Sequence, residues 1–205
     1  MEWDRGAHVE QRPQTGGEAG NSRLTALTAV ALLVLLAVEG ATLLALQSLL
    51  SVHIFVGMLL VPVVGLKLAT TGYRFFSYYR GRREYVEAGP PPILRRLTAP
   101  LLVLSTIGLF ATGVALAALG PGRPLVLGLH KASFVVWVAA MTVHVLAHIA
   151  RIPALGALDV RGGKGIGGSR LRLAIIAATV FAGAVLAVET LPLVAPWAHL
   201  ARIGE

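Results

Sequence analysis

The sequence predicts an all-α integral membrane protein, a bundle of about five transmembrane helices. Of its 205 residues 56% are hydrophobic and only 14% are charged, whereas soluble domains carry roughly 25% charged residues. The apolar residues form five long segments, and the charged residues lie in short runs between them. Each segment reaches about 20 residues, which as a helix crosses roughly 30 Å of hydrocarbon and satisfies its own backbone hydrogen bonds there.

The five predicted helices follow a polar N-terminal segment. Residues 1–23 contain paired glycines and no apolar period, which predicts a disordered cytoplasmic tail. In chain order, the predicted helices cover residues 24–50, 52–76, 97–119, 125–149 and 173–194. We therefore expect one transmembrane domain over residues 24–195 and a short outer tail over residues 196–205.

Basic residues are distributed unevenly between the two sides of the predicted bundle. Fourteen of the 18 lie in the N-terminal tail and in the loops after the second and fourth helices, whereas Arg123 and Arg202 lie on the opposite side. Because cytoplasmic loops carry the excess of Lys and Arg, we expect a cytoplasmic N-terminus and an outer C-terminus. Arginine outnumbers lysine and alanine is frequent, which is typical of GC-rich bacteria and suggests a multi-pass protein of a bacterial plasma membrane.

Features that the sequence lacks narrow the function. The chain has no cysteine, which excludes disulfides, thiolate-bound iron–sulfur clusters and covalently attached c-type haem. Its positive charge follows membrane topology and forms no basic face with base-reading residues, so lipid is an expected partner and nucleic acid is not. We find no H-E-x-x-H motif, no phosphate loop and no nucleophilic triad.

Two histidines are the main candidates for chemistry. His53 opens the second predicted helix and His130 lies early in the fourth, so both lie at a similar depth near the outer face. A six-coordinate haem needs one imidazole on each side of its iron, supplied by two helices. Gly57, one turn after His53, lets a macrocycle approach the backbone. Lys131 and Arg123 near the outer end are candidates to pair with haem propionates.

Further ionisable residues continue along the same helical faces. His144 and His148 follow His130 by 14 and 18 residues, which places them about 21 Å and 27 Å further along one stripe. His144 is therefore a candidate ligand of a second, inner haem, with His148 or Lys67 as less favoured ligands. As a divalent-metal pair, His144 and His148 lack a third ligand.

Plainer interpretations of these residues remain open. His53 and His130 at helix ends are also compatible with the membrane interface, and His148 with an interface or hydrogen-bonding role. Lys67 is expected to snorkel to the inner face or to lie opposite His144. Glu39 in the first helix either holds the second nitrogen of a ligand histidine or is simply buried in the bundle, which we take as the simpler account.

The segments 53–57 (HIFVG), 129–137 (LHKASFVVW) and 143–148 (VHVLAH) resemble membrane cytochromes of the b type. The likeness is to cytochrome b561-like and ferric-reductase-like proteins and to the haem-bearing gamma subunits of bacterial formate dehydrogenases and hydrogenases. It implies a helical bundle that binds haem b through paired histidines, with His53 and His130 as an outer pair and His144 as one inner ligand. Family members with two haems carry two histidines on each of two helices, whereas here the second helix has Lys67 at the corresponding position.

The resulting functional expectation is a membrane-bound b-type haem protein that carries electrons within or across the membrane. It would bind one haem or two, and it would serve as an electron-transfer subunit of an oxidoreductase, with quinone or a redox partner subunit as its partner. Whether the chain is itself an enzyme stays open. The alternative from another class is a haem-free multi-pass protein that binds a partner or assists assembly through its basic inner loops.

Overall fold

The computed structural model describes residues 16–90, 93–148 and 167–197, and all regular structure within these ranges is helical. Two short 3-10 turns, Leu43–Ala45 and Leu191–Val194, accompany six α-helices in the described ranges. In chain order the helices are α1 (Gly17–Thr42), α2 (Leu46–Tyr79), α3 (Arg83–Glu87), α4 (Ile93–Leu119), α5 (Pro124–His148) and α6 (Ser169–Glu189). The all-α prediction is therefore confirmed for the part of the chain that is described.

Four stretches within the described residues are long and apolar enough to cross a membrane. They are Gly17–Tyr79, Thr98–Leu119, Pro124–Leu146 and Ser169–Glu189. The first is 63 residues long, about three times the length that a single crossing requires. These lengths and compositions support a multi-pass membrane protein.

The long first stretch folds back on itself as a helical hairpin. Its helices α1 and α2 are separated by the 3-10 turn and by Ala45, whose backbone leaves the helical region at φ −142° and ψ 51°. Near the turn, the hydroxyl of Thr42 lies 2.9 Å from Nδ1 of His53. At the other end, the Asn21 amide donates to the carbonyl of Thr70 at 3.0 Å. Since residues early in α1 meet residues late in α2, the two helices are antiparallel.

Helix α1 begins at Gly17, which corrects the predicted tail over residues 1–23. The carboxylate of Glu18 in the first turn pairs with the guanidinium of Arg74 and accepts a hydrogen bond from Ser22 at 2.7 Å. Arg23 is buried. These polar contacts with α2 hold residues 17–23 in the helix, although their composition has no apolar period. Residues 1–15 of the predicted tail lie outside the described residues.

Helix α2 is the centre of the bundle, and the helices form two packed groups. It packs along α1 on one side and α6 on the other, while α4 and α5 pack mainly against each other and α4 contacts α2 less extensively. At Gly183 of α6, an added Cβ would lie 2.3 Å from the carbonyl oxygen of Leu59. That glycine is therefore required for the close approach of α6 to α2. The space between the two groups holds the cavity described below.

The short helix α3 closes the end of the hairpin away from the turn. The ring of Tyr85 packs edge-on against Tyr73, with centroids 5.9 Å apart, and its burial raises the pKa of the phenol. The backbone N–H of Glu18 donates to the carboxylate of Glu84 at 3.3 Å. Helix α3 thus ties the start of α1 to the loop after α2.

Candidate functional site

A cavity of about 510 Å³ lies between the α1–α2 hairpin and the α4–α5 hairpin. Its volume falls in the range of about 300–1,000 Å³ that is usual for cofactor and small-molecule sites. Most of its wall is apolar, and it reaches the end of the bundle where α2 and α5 begin. The ionisable residues in the wall are Glu39, His53, His130 and Lys131.

The imidazole of His53 is held from behind by helix α1. Its Nδ1 lies 2.9 Å from Oε1 of Glu39 and 2.9 Å from Oγ1 of Thr42. The Thr42 hydroxyl donates its own hydrogen to the carbonyl of Glu39 at 2.6 Å, so its oxygen accepts from the ring. With the Glu39 carboxylate as a second acceptor, Nδ1 carries a proton, so the lone pair of the neutral imidazole is on Nε2.

The imidazole of His130 is held from behind by helix α4. Its Nδ1 lies 3.1 Å from the carbonyl oxygen of Leu109 and 3.1 Å from Oγ1 of Thr112. A carbonyl oxygen only accepts hydrogen bonds, so this ring also carries its proton on Nδ1. Thr112 donates to the carbonyl of Gly108 at 2.6 Å, which leaves its oxygen free to accept. The lone pair of His130 is therefore on Nε2 as well.

Two glycines bring backbone close to this site. An added Cβ at Gly113 would lie 3.1 Å from Cε1 of His130, so the absence of a side chain there lets the ring lie against α4. Gly57 lines the cavity one turn after His53. A Cβ on Gly57 would be 3.5 Å from Oε1 of Glu39, which is an ordinary contact. The packing of α1 against α2 therefore does not require a glycine here, and the missing side chain instead widens the cavity.

The arrangement places two imidazoles on one apolar cavity, and the neutral form of each ring keeps its lone pair on Nε2. Among the described residues, Nε2 of neither His53 nor His130 has a hydrogen-bond partner. A histidine whose Nδ1–H donates to an acceptor while Nε2 keeps its lone pair is in the state of a metal ligand. The donor set, the apolar walls and the glycine surfaces together fit a flat metal macrocycle such as haem, which takes two axial imidazoles from the protein.

The other predicted site residues are distributed differently. Lys131 lines the cavity, whereas Arg123 is exposed in the loop before α5 and is not part of its wall. Lys67, proposed as a less favoured ligand, donates from Nζ to the carbonyl of Thr25 at 2.9 Å and is also absent from the wall. His144 does not line this cavity. The side chain of His148 lies outside the described residues, although its backbone ends α5.

Several residues of the site were not anticipated from the sequence. Glu39 was expected to be buried in the bundle, with pairing to a ligand histidine as the alternative, and it pairs with His53. No sequence pattern marked Thr42, Thr112 or Gly113, which are ordinary small or polar residues in apolar helices. Trp197, beyond the end of α6, also lines the cavity. Within the described ranges, no group of three or more His, Asp or Glu side chains is arranged to hold a bare metal ion.

Comparisons of this chain with protein-family models, with curated proteins and with solved structures found no match. The likeness to b-type cytochromes therefore stays a prediction from the segments around the histidines.

Proposed function

We propose that the protein is a membrane-embedded b-type haem protein that carries electrons, with His53 and His130 as the two axial ligands. One observation carries the proposal: imidazoles from α2 and α5 line a single cavity, each with Nδ1 bonded to an acceptor and Nε2 without a partner in the described protein. The lone pair that each neutral imidazole keeps on Nε2 is therefore available to a metal held in the cavity.

The topology of the proposal has five crossings, because the α1–α2 hairpin supplies two and α4, α5 and α6 supply one each. Helices α1 and α2 contain 26 and 34 residues, about 39 Å and 51 Å of helix, so each spans the hydrocarbon alone. The excess of arginine at the end that holds the start of α1 supports a cytoplasmic position for that end, in the proposed bacterial plasma membrane. The cavity then lies in the outer half of the membrane.

When bound, the haem supplies a one-electron couple that the side chains themselves do not have. His53 and His130 would hold it through Nε2, and the acceptors at each Nδ1 would fix both rings in one tautomer. Glu39 and Leu109, behind the rings, set the basicity of the two imidazoles. The apolar wall excludes water and lowers the local dielectric, which favours electron transfer over ligand exchange. The protein thereby serves as an electron-transfer subunit.

The proposal takes one haem for this cavity. A second haem toward the inner face requires a partner for His144, and the sequence offers Lys67 at the matching position of α2. The ammonium of Lys67 is bonded to the carbonyl of Thr25. A lysine engaged by a backbone carbonyl of a neighbouring helix would have to exchange that contact for iron, which disfavours Lys67 as a ligand of an inner haem.

The test is to express the full chain in haem-replete cells and to purify it in detergent. The proposal expects a red protein with a Soret band that shifts on dithionite reduction and about one haem per chain by pyridine haemochrome. His53→Ala and His130→Ala should each lower the haem content severalfold or more, because one axial ligand is lost. His144→Ala, the matched control from the same helix as His130, should keep the wild-type haem content.

A colourless wild-type protein contradicts the proposal and favours the haem-free assembly subunit. Full haem content in both His53→Ala and His130→Ala refutes the ligand assignment but not haem binding. Two haems per chain, one of them lost in His144→Ala, would show that the single-haem stoichiometry is wrong.

A further inference from the structure

Four helices surround the cavity, and three of the four interfaces between them are closed. Apart from Leu43 and Trp197, the wall comes from α1, α2, α4 and α5. Helix α1 packs along α2, α2 contacts α4, and α4 packs along α5, whereas α5 and α1 have at most isolated contacts among the described residues. The ring of helices is therefore open on the side between α1 and α5.

The exposure of the wall residues agrees with an opening on that side. Buried wall residues, with the exception of Trp137, all belong to α2 and α4 at the rear; they are Met58, Leu60, Leu116 and Ala117. On the facing helices, Gly40 of α1 and Val138 of α5 line the cavity and are also exposed, Val138 by 39%. Residues that contact both the cavity and the outside of the bundle mark its open side.

The gap between α1 and α5 lies within the depth of the membrane. Val138 is about 21 Å along α5 from Pro124, its first residue, and the hydrocarbon layer is about 30 Å thick. On the other side of the gap, Leu36 and Gly40 belong to the apolar stretch that begins at Gly17. Lipid hydrocarbon therefore faces the gap.

The outer end of the cavity, in contrast, is partly covered by protein. The 3-10 turn Leu191–Val194 packs against α2 and α4, at the side where α2 begins and α4 ends, and Val194 is buried. Trp197 follows this turn and adds its side chain to the wall. A molecule that approaches from the outer aqueous side meets this cover, whereas one dissolved in the membrane meets the gap.

We propose that the cavity opens sideways to the lipid between α1 and α5, and that its ligand, a flat and largely apolar molecule, enters from the hydrocarbon. The identity of this ligand as haem rests on the proposed function, whereas the opening itself does not. A lateral entrance lets a molecule of low water solubility reach His53 and His130 directly from the membrane. Gly40 leaves room on the α1 side of the entrance, because nothing lies within 4 Å of an added Cβ there.

Bulky substitutions on the two sides of the gap test the route of entry. Haem is added to the full-length, haem-free protein in liposomes, uptake is followed at the Soret band, and release is timed with an excess of haem-scavenging globin. Gly40→Trp and Val138→Trp should slow uptake and release by the same factor, about tenfold, because a narrowed entrance raises the barrier in both directions and leaves the affinity unchanged. Gly65→Trp, at an exposed glycine outside the wall, is the matched control and should keep both rates.

A nitroxide label in the cavity tests the opening without haem. The chain has no cysteine, so Phe134→Cys in the wall and Ala140→Cys, which is buried in α5 outside the wall, can each carry one label. In haem-free protein in liposomes, oxygen dissolved in the lipid should relax the label at position 134 severalfold faster than the label at position 140. A water-soluble nickel chelate should have little effect on either label.

Strong relaxation of the Phe134→Cys label by the nickel chelate overturns the inference, because the cavity then opens to water. Weak relaxation by both reagents overturns it as well, because the gap is then closed. Wild-type rates in both tryptophan variants contradict entry between α1 and α5, and a lower affinity with faster release in both assigns these positions to the binding site instead. If the wild-type protein takes up no haem while the label responds to oxygen, the proposed function fails and the lateral opening stands.

Discussion

The two histidines of the cavity are held in the same tautomer by different means. Behind His53 stand two side chains of α1, the carboxylate of Glu39 and the hydroxyl of Thr42. Behind His130 stands the backbone carbonyl of Leu109, with the hydroxyl of Thr112 beside it. A carboxylate is a stronger acceptor than a carbonyl and can be removed by mutation, whereas the carbonyl cannot. The hydrogen bonding of the His53 ring can therefore be altered by substituting side chains, whereas that of the His130 ring is fixed by the backbone of α4.

The largest loss of haem is expected when Gly113 is replaced, because the His130 ring needs the space that this glycine leaves free. Replacing Gly113 with Leu would place a side chain where the His130 ring lies against α4, because even a Cβ would be 3.1 Å from Cε1. The ring would be displaced, and haem content should fall to the level of His130→Ala. Gly65 is exposed with nothing within 4 Å of an added Cβ, so Gly65→Leu is the matched control. Normal haem in Gly113→Leu would show that the ring has room elsewhere.

The next largest loss of haem affinity is expected at Glu39, whose carboxylate accepts from the His53 ring. Glu39→Ala removes the charged acceptor of His53, and loss of such a partner typically lowers metal affinity about 10–100-fold. Glu39→Gln keeps an acceptor oxygen but removes the charge, so affinity should fall less while the midpoint potential rises, since a less basic imidazole stabilises the ferric state less. Haem titration and potentiometry measure the two quantities. Equal potentials in wild type and Glu39→Gln would contradict a role for the carboxylate.

Smaller losses of haem affinity, unequal between the two sites, are expected when either threonine is replaced. Thr42→Val and Thr112→Val each remove one hydroxyl acceptor, worth about 1 kcal/mol in a typical hydrogen bond. Haem affinity should fall severalfold in Thr42→Val, whose side of the site depends on side chains, and about half as much in Thr112→Val, because the carbonyl of Leu109 still fixes the ring. The same titration checks the ranking. A larger loss in Thr112→Val than in Thr42→Val would reverse the proposed difference between the two sides.

The smallest effects are expected from residues that the sequence suggested and the cavity wall omits. Arg123→Ala should leave haem affinity and potential unchanged, because Arg123 is exposed in the loop before α5. Lys67→Met should likewise keep the haem while lowering stability, since a contact between α1 and α2 is lost. Thermal unfolding is followed at the Soret band and, separately, by circular dichroism of the helices. The two signals distinguish loss of haem from loss of stability. Loss of haem in Arg123→Ala at normal stability would restore that residue to the site.

The helical fold could be predicted from the sequence because apolar length and charge runs are directly visible in it. The helix ends were less accessible: α1 begins at Gly17 because Glu18 pairs with Arg74 across the hairpin, a contact between residues far apart in sequence. Likewise α6 ends at Glu189, and Leu191–Val194 form a 3-10 turn, although the apolar run continues. Hydropathy does not encode contacts of this kind.

The candidate site was predictable to the extent that it depended on rare residue types in apolar helices. His53 and His130 stood out as imidazoles in segments that should contain none, and their similar depth followed from the helix order. Their partners did not stand out, because Thr42 and Thr112 are ordinary in such helices and the acceptor from Leu109 is backbone. Glu39 was visible but lacked a partner until α1 folded against α2. Trp197 entered the wall through a turn that no periodicity indicates.

Electron paramagnetic resonance of the ferric protein tests the central claim most directly, because the spin state of haem iron reports its axial ligands. Wild-type protein should give a low-spin spectrum, as expected for iron held between two imidazoles. His130→Ala and His53→Ala, examined on whatever haem they retain, should each turn high-spin, and added imidazole should restore the low-spin signal. A wild-type spectrum that is high-spin, or one that stays low-spin in both variants, would contradict axial ligation by His53 and His130.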